Sequence, residues 1–223
     1  MRLVTIAKRE VTMRILFTAV LVALSIHLSA AQGVESTQEP VQPSPKAPDF
    51  RGAYWGMSKA QIRKSETAKF FTEMTDLGAV KGRDSLNYIG KVLDREVLII
   101  YVFMNDKLVR TQYRFSAEHT NKFGYLDDYH VVSKALTEKY GKPDEDEMIW
   151  KDPLFKSDVH KYGTAVSVGH LVLFMTWYNA DGTQISTRID GDNYEIAHAV
   201  EYSSIEFGHL EKNAKDQKKE AEL

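Results

Sequence analysis

The sequence predicts an α+β fold, two helices packed on antiparallel sheet. Three observations carry that reading. Hydrophobic residues make up 43% of the 223 positions, enough apolar material to fill a core. The segments run helix, about three strands, helix, three to four strands, which separates strand groups by single helices. Within each group the connections are tight turns, and such turns force neighbouring strands to run antiparallel.

The first helix has the sharpest local signal, Gly56-Met57-Ser58-Lys59-Ala60-Gln61-Ile62. Ser58 is a good N-cap and Gln61 stands three residues on, which makes a capping box. Met57 and Ile62 occupy hydrophobic-staple positions. The helix is expected from Lys59 to about Glu66. Residues 67–80 fit two readings: Phe70, Phe71, Met74 and Leu77 could continue a helix, while Thr67, Thr72 and Thr75 oppose one.

Strands follow. Leu86-Asn87-Tyr88-Ile89 is a short candidate. Glu96–Met104 is an unbroken β-branched and aromatic run, the pattern of a central strand buried on both faces. Asn105-Asp106-Lys107 is a turn, and Leu108–Phe115 alternates like a half-buried strand. The longest helix spans Tyr125 to Tyr140, with Tyr129, Val132, Leu136 and Tyr140 in one stripe. Gly141 and Pro143 stop it. Beyond Asp144-Glu145-Asp146-Glu147, read as a solvated acidic loop, Met148-Ile149-Trp150 is short. Val166-Ser167-Val168 leads into Leu171–Tyr178, with the small-residue stretch Gly163–Gly169 as a strand entry. Asn179–Gly182 and Asp190–Asn193 read as turns. Gln184–Ile189 alternates, and so does Tyr194–Tyr202, with Tyr194, Ile196, His198, Val200 and Tyr202 on one face. In element order the second half is a looser copy of the first, compatible with tandem repeats over 49–116 and 117–210.

The flanks differ from this body, which runs from 49 to 210. Arg2, Lys8, Arg9 and Arg14 precede or open onto a 12-residue apolar run, Ile15–Ile26, and Ser29-Ala30-Ala31 supplies small residues. That is the pattern of a signal peptide over 1–31, cleaved after Ala31, with Met13 as an alternative start and an uncleaved anchor as the rival reading. Residues 32–48 hold four of the six prolines and read as a disordered linker. Residues 211–223 form a charged tail of balanced sign.

Charge and chemistry then narrow the function. The whole chain carries a net charge of −2, and the chain from residue 32 carries −5. That is poorly suited to nucleic acid or to anionic headgroups. Cysteine is absent, which removes disulfides, thiolate metal sites, cysteine nucleophiles and a lipid-anchoring cysteine. No phosphate loop, dinucleotide fingerprint, HExxH or GxSxG motif is present. The six histidines beyond residue 31 do not pair at two-, three- or four-residue spacing, so no local metal motif exists. Asp181, Asp190 and Asp192 are explained by turn chemistry and lack EF-hand spacing. No cofactor and no metal is implied.

Trp55-Gly56-Met57-Ser58, the Gln61-Ile62 helix start and a meander ending near Tyr113 and Phe115 resemble the small exported α+β modules of the BamE (SmpA/OmlA) type. The beta-lactamase inhibitory proteins look like a tandem version of the same plan. The resemblance is specific over about a dozen residues and architectural beyond them. Without a cysteine after the signal the chain departs from the lipoproteins of that type, and no partner-binding residue carries over. The overall pattern is also similar to uncharacterised exported bacterial proteins.

The functional expectation is therefore an exported, non-enzymatic interaction module, periplasmic or secreted. It would engage another envelope protein through a sheet face or edge, with no membrane span after cleavage. Tyr113, Tyr194, His198 and Tyr202 are the candidate recognition residues, provided that helices cover only one sheet face. The alternatives are a hydrolase or small-ligand protein, with His198 or His170 meeting a carboxylate in a pocket, and a purely structural envelope component.

Overall fold

In the computed structural model, residues 49–221 are described, so the signal-peptide and linker readings over 1–48 lie outside the described residues. The capping box forms as expected. The Ser58 hydroxyl accepts from the Gln61 N–H, the Gln61 side chain accepts from the Ser58 N–H, and α1 runs Lys59–Ser65. The ambiguous stretch resolves into strand β1, Lys69–Met74, and a short 3₁₀ turn at Leu77–Ala79. The meander continues with β2 (Arg83–Val92), β3 (Arg95–Met104) and β4 (Lys107–Phe115).

Helix α2 (Phe123–Tyr140) then leads to β5 (Glu145–Trp150). A short helix α3 (Tyr162–Ser167) precedes β6 (Leu171–Tyr178), β7 (Thr183–Asp192) and β8 (Glu195–Ser204). Helix α4 (Ile205–Ala221) follows without a break. The eight strands form one sheet, every neighbouring pair antiparallel, in the order β1-β2-β3-β4-β8-β7-β6-β5. The α+β class and the antiparallel pairing are as the sequence predicts. No helix among the described residues is long and apolar enough to cross a membrane.

Several sequence readings need correction. The described residues hold four α-helices instead of two. The Val166–Val168 stretch is helical up to Ser167. Gly163 packs so closely on the start of α2 that a Cβ there would lie 2.6 Å from the Lys122 carbonyl carbon. The small residues Ala165 and Ser167 are then buried under it. The acidic residues Glu145–Glu147 are not a loop but the first half of edge strand β5, paired with Phe174, Met175 and Thr176. The second hairpin turns at Asn193 and Tyr194, both left-handed, and Asp190–Asp192 still belong to β7. The charged end is docked helix: Phe207, Leu210 and Ala214 pack on Val80, Ile100, Val102, Met104 and Val109.

The sheet therefore has two unlike faces. On the first, α1, α2 and α3 cover Leu86, Tyr101, Phe103, Trp177, Ile185, Ile189 and Val200. Two Trp indole donors are satisfied there, Trp177 by the Gly141 carbonyl at 2.9 Å and Trp55 by the Thr183 hydroxyl at 3.0 Å. The second face is covered by α4 at one end. Strand alternation puts Ser85, Asn87, Leu98, Ile100, Gln112, Arg114 and Glu201 on it. A bulge in β4, where Val102 pairs with Arg110 and Phe103 with Leu108, turns both Val109 and Arg110 to this side.

Candidate interaction surface

Beside α4 the second face holds a groove of about 410 Å³. It is lined by the apolar Phe71 and Met74 of β1 and Leu98 and Ile100 of β3, and by the basic Arg83 of β2 and Arg110 and Arg114 of β4. Phe71 is 59% exposed and Met74 48%, both on edge strand β1, and Ile89, 42% exposed, pairs in register with Leu98. Large apolar side chains held this open on an edge strand are what a partner-free sheet normally avoids. The other edge, β5, is blunted by Glu145, Asp146 and Glu147.

The electrostatics of the groove come from five side chains. Glu211 of α4, 9% exposed, accepts from Arg110 at 2.6 Å and pairs with Arg83 at 2.9 Å. Arg110 also donates to Glu201 at 3.2 Å. Arg114, exposed at the far end, forms no ion pair among the described residues; it donates to the Gln112 amide oxygen at 3.5 Å. The groove thus carries three guanidinium groups against two carboxylates, and the unmatched charge sits on Arg114.

The four candidate recognition residues do not meet on this face. Tyr202 and His198 are 6% and 4% exposed and point to the helix-covered side. Tyr113 lies beside Tyr202 there, and the Phe50 ring packs tilted against both, with centroids 4.9 and 5.1 Å away. Both tyrosines line a 200 Å³ apolar gap under α2. Tyr194 stands alone at the β7–β8 turn, 65% exposed. Their strand alternation was legible, but alternation does not say which face the helices choose. The signal that could have pointed to the groove is Phe70-Phe71 beside threonines in a stretch of mixed period.

The histidines separate in an unexpected way. His198 stacks on Phe115 at 4.3 Å, and its Nε2 lies 3.3 Å from the Thr187 hydroxyl. Burial lowers its pKa to about 4, with Asp128 and Arg95 acting weakly in opposite senses. His170 Nδ1 is 4.0 Å from Asp152, beyond hydrogen-bond reach. His119, which the sequence reading passed over, does meet a carboxylate: its Nε2 is 2.7 Å from Asp128, whose other oxygen accepts from Arg95 Nε at 2.6 Å. Burial raises the Asp128 pKa, but His119 and Arg95 more than offset it and the net shift is downward. His119 lines a polar cleft of about 650 Å³ with Glu118, Lys122, Tyr125, Tyr194 and Glu195. The two residues are nine apart in sequence, one before α2 and one in its second turn, so no short motif joins them. Among the described residues no group of three or more His, Cys, Asp or Glu is arranged to hold a metal.

No protein-family model, curated protein or solved structure matches the chain.

Proposed function

We propose that this protein is an exported, non-enzymatic interaction module of the cell envelope, binding another envelope protein through the open face of its sheet. The observation that carries the reading is the groove at the β1 edge. Two large apolar side chains of its wall, Phe71 and Met74, stay exposed beside α4, and its far end offers Arg114, which forms no ion pair among the described residues. Export is supported by the signal-like pattern of residues 1–31. A strand order symmetric about the β4–β8 junction, with a helix leading each four-stranded meander, favours an origin by duplication of a BamE-like unit. The test is affinity capture from the envelope with the full chain and with the Phe71→Asp and Arg114→Glu variants. A reproducible partner retained by the parent and lost by both variants is expected. Equal recovery by all three rejects the groove.

A second reading has one observation in its favour. His119, oriented by Asp128 at the edge of the large polar cleft, is the arrangement of a positioned base. It would make the protein a hydrolase or small-ligand protein. That reading requires His119→Ala to abolish a turnover or a ligand-binding signal that Phe71→Asp leaves intact.

A further inference from the structure

The groove lies next to a worked example of what this face accepts. Helix α4 sits on the same side of the sheet through Phe207, Leu210 and Ala214, spaced three and four apart. Glu211, the residue after the second of these, reaches Arg83 and Arg110. The face therefore recognises an apolar stripe with a carboxylate beside it. The remaining groove repeats both halves of that chemistry: Phe71, Met74 and Leu98 supply the apolar bed, and Arg114, with Arg110 beside it, supplies the cation.

The dimensions agree. The groove is walled by β1 on one side and by β4 on the other, three strand spacings apart, or about 14 Å. An α-helix with its side chains is about 10–12 Å across. An added strand at the β1 edge would lie four spacings, roughly 19 Å, from β4, too far for its side chains to reach Arg114. A helix in the groove contacts both walls at once.

Resting on the interaction reading above, we infer that the partner presents an acidic amphipathic helix. It would lie beside α4 with apolar residues three and four apart on Phe71, Met74 and Leu98 and a carboxylate on Arg114. This is the helix-in-groove mode of recognition, with charge fixing the orientation.

The experiment uses the full chain and three labelled synthetic 18-residue peptides, read by fluorescence anisotropy at low salt. One is a leucine–glutamate amphipathic helix, one its leucine–lysine counterpart, and one an alternating valine–glutamate strand former. Saturable binding is expected for the acidic helix alone. Its affinity should fall at least tenfold in Arg114→Glu and in Phe71→Asp, and should weaken as salt rises. Equal binding of the basic helix, or acidic-helix binding indifferent to Arg114→Glu, overturns the inference. Preferential binding of the strand former, lost in Phe71→Asp, overturns the helical partner while leaving the open face as the binding site. Absence of saturable binding by all three also overturns the inference, whereas the interaction reading itself falls only with the envelope capture. Circular dichroism of each variant checks that both substitutions, at exposed positions, leave the fold intact.

Discussion

Replacing Glu66 by Gln should cost this protein a large share of its stability at neutral pH and very little in acid. Glu66 is where the N-terminal approach, α1 and the sheet meet, and its side chain is 2% exposed. Arg51 donates to it from Nε and Nη2 at 2.9 Å each, the Ala68 N–H donates at 2.7 Å, and the Tyr101 hydroxyl donates as well. Burial by itself pushes a carboxyl pKa up; these donors outweigh it and bring Glu66 down to about 2. Against an unfolded value of about 4.3, that difference is worth about 3 kcal/mol. Folding lowers this pKa, so the stabilisation is complete above about pH 4.3 and is lost as pH falls toward 2. Glutamine keeps the shape but removes the charge, and its amide NH₂ turns two donors toward Arg51. Arg51 is 28% exposed and regains some solvent, which makes 3 kcal/mol an upper figure. Urea unfolding of both proteins at pH 7, 5, 4 and 3 should show a gap of about 2–3 kcal/mol that closes below pH 4. A gap that stays constant with pH, or one below about 1 kcal/mol at pH 7, would refute the ion-pair account.

Three further outcomes are expected. His198 is held neutral by burial with a pKa near 4, so the fold loses stability as pH drops from about 6.5 to 4, by about 3 kcal/mol. His198→Phe should flatten the urea-unfolding profile over that window, and an unchanged slope would place the titration elsewhere. Gly124→Ala should destabilise, although alanine favours helix, because the new Cβ would lie 2.8 Å from His119 Nδ1 and drive the ring off Asp128. A loss of about 1–2 kcal/mol in thermal unfolding, with a shifted His119 imidazole resonance, is the expected result; a gain would contradict the packing. Tyr194→Gly should raise stability by about 0.5–1 kcal/mol, since Tyr194 is left-handed (φ 67°) at an exposed two-residue turn, and a lower melting temperature would falsify that.

Most strands could be read from the chain because their side chains answer to a buried face. β3 and β6 are continuous apolar runs, and β4, β7 and β8 alternate. The Ser58 cap and the Gly141 stop are local hydrogen-bond chemistry, and they mark the start of α1 and the end of α2. What could not be read depends on tertiary contact. β1 has exposed phenylalanines and no core face to impose a period. α3 forms because Gly163 fits under α2, and α4 carries its apolar stripe as three residues in a charged background. The β4–β8 pairing that fuses the two meanders is long-range and leaves no local mark. The binding candidates suffered for the same reason: Tyr113, His198 and Tyr202 share a strand face, but that face is the one the helices bury. His119 and Asp128 become neighbours only when the loop before α2 folds back on the helix.

Site-specific photo-crosslinking tests the central claim most directly. A photoreactive phenylalanine analogue placed singly at Phe71, Leu98 and Tyr194 of the full chain, irradiated in the envelope fraction, reports which surface a partner touches. One discrete adduct is expected from positions 71 and 98, competed by the acidic amphipathic peptide and absent from position 194. An adduct from Tyr194 with none from Phe71 or Leu98 would move the working surface to the His119 cleft and contradict the open-face account.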